Sequence, residues 1–144
     1  MRFWDSSAII PLCFKEPTTA PIRDILNEDE DIVVWWGTRV ECASAISRRR
    51  REGLLRPDAE RKAKAILSRL YAAWSEVQPC EVVRHRAQRL LAVHPLRAAD
   101  ALQLAAASTW AGESPEGCVV VCLDQNLRGA ASREGFTVLP DVVS

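Results

Sequence analysis

Two uninterrupted apolar runs, DIVVWW at 31–36 and CVVVCL at 118–123, limit what this chain can become. Neither has polar residues on alternate positions. Each therefore reads as a strand covered on both faces, the pattern of a parallel sheet between helices. The intervening sequence agrees. Thr38 to about Arg51 reads as a helix ended by Gly53, and about Pro57 to Trp74 as another, with Ala65, Ile66, Leu70 and Ala73 at helical spacing. PCEVVRHRAQRLLAV (79–93) is a further amphipathic helix, closed before Pro95, and an Ala-rich helix follows from about Arg97 to Trp110. RFWD (2–5) and FTVLP (136–140) are short strand candidates, and QNLRGAASREG is a short helix between the last two strands. SSAIIPLCFKE reads as a helical turn broken by Pro11, and TAPIRDILNED as an amphipathic helix with Pro21 near its start. Four strands are readable, and their alternation with helices predicts an α/β protein built on a parallel sheet.

The 144 residues read as one domain, 1–144, with GESPEG (112–117) as a loop inside it. No apolar run approaches the roughly 18 residues of a membrane span, and MRFWDSSAII has no long apolar h-region with a cleavage site. The expectation is a cytoplasmic protein with no membrane association. The five cysteines are scattered, with no C-x-x-C pair, which argues for free thiols. His85 and His94 lack a zinc-ligand spacing and read as surface helix residues. Net charge is zero, so there is no global basic signature for nucleic acid. Of the 19 basic residues, however, only Lys15, Lys62 and Lys64 are lysines. Arginine suits bidentate phosphate contacts, and it also suits a solvated helix face. Among the tryptophans, Trp4 and Trp35 read as core, while Trp36, at a strand end, has a place on a cleft or a dimer interface.

The segment PLRAADALQLAAA (95–107) carries a carboxylate, Asp100, in an otherwise Ala- and Leu-rich helix. A charge buried without a partner costs several kcal/mol or more. Arg97, one turn earlier, offers an ion pair. A bound cation shared with other acids is the alternative. Three other acids sit at comparable places. Asp5 ends the first strand, Asp124 ends CVVVCL, and Glu41 lies in the first turn of the helix after DIVVWW. Each has a local explanation: Asp5 and Asp124 as helix caps, and TRVE (38–41) as a capping box with Thr38 as the cap. Taken together, they fall along the carboxyl edge of a parallel sheet, where ligands bind. Four carboxylates meeting there repel one another unless their pKa values rise or a cation joins them. Hard divalent ions such as Mg²⁺ or Mn²⁺ take oxygen ligands of this kind.

DSSAI at the N-terminus, the helical Glu41, AADALQLAAA and VVVCLDQNL, in that order, resemble the PIN-domain ribonucleases, and most closely the VapC-type toxins of bacterial toxin–antitoxin pairs. The resemblance implies a three-layer α/β/α fold with a central parallel sheet of four or five strands. It implies an endoribonuclease dependent on Mg²⁺ or Mn²⁺ that cleaves RNA phosphodiester bonds, the toxin of a type II toxin–antitoxin system. By matching positions, Asp5, Glu41, Asp100 and Asp124 would be both the catalytic and the metal-binding acids. Ser6, Arg97, Asn126 and Arg128 would contact substrate, and Arg48 to Arg51 would hold RNA backbone near the rim. Partners implied are an RNA substrate, a small cognate antitoxin and a second copy in a homodimer. The chain departs from the family pattern at Cys122, where Ser or Thr is common two residues before the last acid, and offers Asn126 soon after that acid, where another polar or acidic residue is common.

Other readings remain at this point. A haloacid-dehalogenase-like phosphohydrolase with Asp5 as nucleophile needs D-x-D, and position 7 is Ser7. A signalling receiver domain needs paired N-terminal acids and a late strand-end lysine, and has neither. A non-catalytic PIN-like module binding RNA or protein keeps the fold without turnover.

Overall fold

The computed structural model describes residues 1–112 and 114–143. Twelve elements run in the order β1 (Arg2–Trp4), α1 (Ser6–Cys13), α2 (Thr19–Glu28), β2 (Ile32–Trp35), α3 (Thr38–Arg51), α4 (Pro57–Ala73), β3 (Ser75–Val77), α5 (Glu81–Val93), α6 (Ala98–Ala111), β4 (Val119–Val121), α7 (Gln125–Arg133) and β5 (Thr137–Leu139). All strand pairings are parallel, and the sheet order is β3-β2-β1-β4-β5.

The layering follows from the strand period of two. On one face Phe3, Val33 and Val120 are buried together with Val83, Leu90 and Leu104 of α5 and α6. On the other face Trp4, Val34 and Val121 are buried with Ile9, Ile46 and Leu67 of α1, α3 and α4. Register places Phe3 opposite both Val33 and Val120, so one layer of like-facing side chains spans the three central strands. This is a three-layer α/β/α fold. The continuous apolar runs of β2 and β4 are the sequence trace of that double covering.

The chain builds outward from β1 to β2 and β3, then crosses to β4 and β5 on the other side. The order reverses at β1. The carboxyl end of β1, beside that of β4, is therefore the topological switch point where crevices form.

Three expectations change. A fifth strand, β3, pairs with β2 at the sheet edge; its sequence, SEV, carries no apolar run because an edge strand is half covered. Pro11 lies inside a continuous helix, α1, and does not break it. Its missing N–H removes one bond to the Ser7 carbonyl, a loss confined to the last turn of an eight-residue helix. His94 is not a surface residue: it is 6% exposed, and its Nε2 lies 2.7 Å from Glu134 Oε2. The cysteines are free thiols, as the spacing predicts. Among the described residues no helix is long and apolar enough to cross a membrane.

Candidate active site

Asp5 follows β1 directly. Its backbone N–H donates to the Val121 carbonyl at 3.0 Å, which fixes the loop after β1 against β4. Its Oδ2 caps α1, accepting from Ser7 N at 3.2 Å and from Ser7 Oγ at 2.5 Å, with Cys122 Sγ at 3.6 Å. Asp124 caps α7 through Oδ1, which accepts from Leu127 N at 2.9 Å. Both local explanations thus hold, yet each cap uses one oxygen. Among the described residues Asp5 Oδ1 and Asp124 Oδ2 accept no hydrogen bond, and a capping acid keeps a second oxygen for a ligand.

Glu41 is different. TRVE is not a capping box: the N-cap of α3 is Gly37, without a side-chain cap bond. Thr38 is buried inside the first turn and accepts from Gln103 Nε2 at 3.0 Å. The same Nε2 donates to Glu41 Oε2 at 2.7 Å, and Ser6 Oγ donates to Oε1 at 3.3 Å. Glu41 turns toward α6 and α1 because a buried amide there competes successfully with the cap.

Asp5, Glu41, Asp100 and Asp124 line one cleft of about 810 Å³. None is ion-paired among the described residues. Burial, with the Asp100 charge adding to it, holds the Asp5 carboxyl above its ordinary value against the bonds from Ser7. Glu41 is pushed up to about 7 by burial first, then by Asp5 and Asp100, while Gln103 and Ser6 pull it down. Asp100 is raised by burial and by Asp124, and the Arg97 N–H and charge oppose this. Arg97 acts on Asp100 without forming an ion pair with it. Asp100 thus acts on Asp5 and Glu41, and Asp124 on Asp100, so the cleft acids lie within one another's field.

A hard divalent cation fits this donor set: oxygen ligands only, crowded together, with no ion-paired basic side chain among the described residues. They do not form a closed cage; among the described residues no three His, Cys, Asp or Glu side chains are grouped tightly enough to hold an ion.

Of the expected substrate contacts, Ser6 lines the cleft, and Arg97, Asn126 and Arg128 do not. Arg128 donates to the Cys122 carbonyl at 2.8 Å and to the Pro140 carbonyl at 2.7 Å, so it anchors the segment after β5. Of the four consecutive arginines of α3, Arg48 lines the cleft. Cys122 is fully buried against Asp5, its thiol pushed up by burial and by the Asp5 charge. Two residues escape sequence reasoning. Gln103 is an amide in an Ala and Leu stretch, three residues after Asp100 and so on its face. Ser7 accepts from Leu123 N at 2.9 Å while donating to Asp5, which ties the two capping loops together.

A parallel three-layer fold with acids gathered at its switch point defines a class of α/β proteins with an acidic cleft at the sheet's carboxyl edge. The comparisons narrow it. The PIN domain model matches residues 2–131. PAE2754 from Pyrobaculum aerophilum is similar in structure, with a TM-score of 0.63 and 21% identity over 96% of this chain and 83% of that one. FitAcB from Neisseria gonorrhoeae is similar at a TM-score of 0.65 and 17% identity over 96% of both chains. No curated protein matches in sequence. The chain belongs to the PIN domain family, whose members are generally nucleases.

Proposed function

We propose that this protein is a Mg²⁺- or Mn²⁺-dependent endoribonuclease, the toxin of a type II toxin–antitoxin pair, inhibited by a small antitoxin and working in the cytoplasm as a homodimer. One observation carries the nuclease reading: four carboxylates from separate parts of the chain line a single cleft, and none is ion-paired among the described residues. The toxin assignment is supported by the likeness of DSSAI, AADALQLAAA and VVVCLDQNL to the VapC-type pattern.

Asp5, Glu41, Asp100 and Asp124 would hold the cation. Bound there, it supplies Lewis acidity that offsets negative charge on the scissile phosphate and the leaving oxygen. The chain supplies positioning. Ser7 and Leu127 fix one oxygen of Asp5 and Asp124 and leave the other free. Gln103 and Ser6 hold both oxygens of Glu41, so its carboxylate presents a set direction to a water at the phosphate. The test is incubation of purified protein with mixed RNA plus Mn²⁺ or plus EDTA, beside Asp5→Asn. Cleavage with Mn²⁺, lost with EDTA and in the variant, supports the reading; RNA intact throughout sinks it.

A second reading has one observation in its favour: the absence of a closed three-ligand group among the described residues. It is a PIN-like module that binds RNA without cutting it, and the same assay separates the two. A haloacid-dehalogenase mechanism gains nothing, since Ser7 stands where an acid is needed and Lys62 and Lys64 are exposed on α4.

A further inference from the structure

The caps that place Asp5 and Asp124 also limit how each carboxylate can hold an ion. For Asp5 the Ser7 hydroxyl does most of this. Ser7 Oγ donates to Asp5 Oδ2 at 2.5 Å, the shortest bond that oxygen accepts, beside Ser7 N at 3.2 Å and Cys122 Sγ at 3.6 Å. A lone pair of the same hydroxyl takes the Leu123 N–H at 2.9 Å, which leaves its single proton for Asp5. Leu123 immediately precedes Asp124. One side chain thus spans the carboxyl ends of β1 and β4. It bonds at once to one acid and to the backbone that carries the other, and it lines the cleft between them.

Asp5 Oδ2 is therefore engaged, and so is Asp124 Oδ1, which accepts from Leu127 N at 2.9 Å. Each of these aspartates offers an ion one oxygen, Asp5 Oδ1 and Asp124 Oδ2. Glu41 adds little freedom, since Gln103 and Ser6 bond to both of its oxygens. Such a site suits Ca²⁺ poorly. That ion takes about six to eight oxygens and often draws two from one carboxylate. A small octahedral ion binds through single carboxylate oxygens and keeps several waters.

We propose that Ser7 is a positioning residue that keeps Asp5 a one-oxygen ligand in register with Asp124, and that this clamp makes the cleft prefer Mn²⁺ and Mg²⁺ to Ca²⁺. The inference rests on the metal-dependent reading and adds to it the residue that sets the preference. Ser7 acts through the Asp5 carboxylate and the backbone before Asp124, not by touching the ion. Removing a partner that orients a ligand from behind lowers metal affinity by roughly 10- to 100-fold.

The test is calorimetry on the full chain at pH 8, with MnCl₂ and CaCl₂ titrated separately and urea unfolding run on each variant. Ser7→Ala weakens Mn²⁺ binding about tenfold. Ca²⁺ binding is unchanged or tighter, because Asp5 Oδ2 keeps only its longer bonds and can turn to the ion. The preference for Mn²⁺ over Ca²⁺ narrows by about tenfold. Ser7→Thr, which keeps the hydroxyl, retains the parent's preference. Ser44→Ala removes a cleft-lining hydroxyl that bonds to none of the four acids among the described residues, and it leaves both affinities as in the parent. If Ser7→Ala does not fold, Ser7→Cys takes its place, with similar volume and only a weak donor, and the same narrowing is expected. Unchanged Mn²⁺ affinity overturns the positioning role. Equal losses for the two ions overturn the preference. The same narrowing in Ser44→Ala assigns the effect to cleft polarity at large and overturns the proposal. The metal-dependent reading fails separately, when the unsubstituted chain binds neither ion and leaves RNA intact with Mn²⁺.

Discussion

Gln103 Nε2 donates to Glu41 Oε2 at 2.7 Å, joining α6 to α3 beside the acidic cleft. Gln103 is 1% exposed and its Oε1 has no partner among the described residues. A buried amide half satisfied costs stability, on the order of 1–3 kcal/mol for the orphaned acceptor. What it provides in return is a donor that favours the ionised form of Glu41.

Gln103→Leu removes the orphaned acceptor but also the donor to buried Thr38 Oγ1 and to Glu41 Oε2, so urea-measured stability falls by about 1–3 kcal/mol. Without the bond that lowers it, the Glu41 pKa rises above about 7, and a smaller fraction is ionised at neutral pH. Mn²⁺ affinity, measured by calorimetry, falls at pH 7 and recovers at pH 8.5. A folded variant whose Mn²⁺ affinity follows the parent at every pH would remove Gln103 from this role.

Glu41 itself makes a signed prediction. Its folded pKa lies above its ordinary 4.5. Between about 4.5 and 7 the folded state binds more protons than the unfolded state, so stability falls as pH rises through that window. Glu41→Gln removes this penalty. The variant is more stable than the parent at pH 8 by on the order of 1 kcal/mol, discounted for partial exposure, and the gain vanishes at pH 4. Adding Mn²⁺ stabilises the parent at pH 8, because a ligand of the folded state shifts the transition, and stabilises Glu41→Gln less. Thermal melts at the two pH values, with and without Mn²⁺, read both effects.

How much of this was legible in the sequence depends on what each residue answers to. The central strands were plain, because burial on both faces leaves an uninterrupted run, as in IVVW and VVV. The edge strand SEV was not, since its partner on one side is solvent. Asp5 and Asp124 were readable as strand-end acids because local chain order puts them at the carboxyl edge. Glu41 was readable as a residue, but not its partners. TRVE carries the letters of a capping box, and only tertiary packing reveals that Gln103, 62 residues on, takes the carboxylate instead. His94 misled for the same reason: its partner in the buried site is Glu134, which lies 40 residues away in sequence. Patterns short along the chain were visible, and contacts long along it were not.

Gly37 is required by its neighbour. A Cβ placed there would meet Trp35 Nε1 at 2.6 Å and Cδ1 at 3.0 Å. Trp35 is 8% exposed, so the ring has little room to retreat. Gly37→Ala costs about 1–3 kcal/mol in urea unfolding. It also tilts the Trp35–Trp36 pair, which near-ultraviolet circular dichroism detects. A Gly37→Ala protein with unchanged stability and spectrum would show that the ring moves aside freely.

Glu134, the C-cap residue of α7, links that helix to the end of α5, with His94 Nε2 at 2.7 Å and Arg89 at 2.9 Å. Burial alone would raise its pKa, but the bonds from His94 and Arg89 and their charges outweigh it and hold it below the ordinary 4.5. A carboxyl depressed on folding contributes stability above its unfolded pKa, and that contribution is lost as pH falls through the folded value. Glu134→Gln is therefore less stable than the parent at pH 7, by about 1–3 kcal/mol for charge-assisted bonds at a site mostly shielded from water. The gap closes as pH falls through the folded value, below the ordinary 4.5, where the parent's carboxyl is protonated too. Urea titrations of both proteins from pH 7 to pH 3 trace the closure. A gap that stays constant over that range would mean that shape, and not charge, holds α5 to α7.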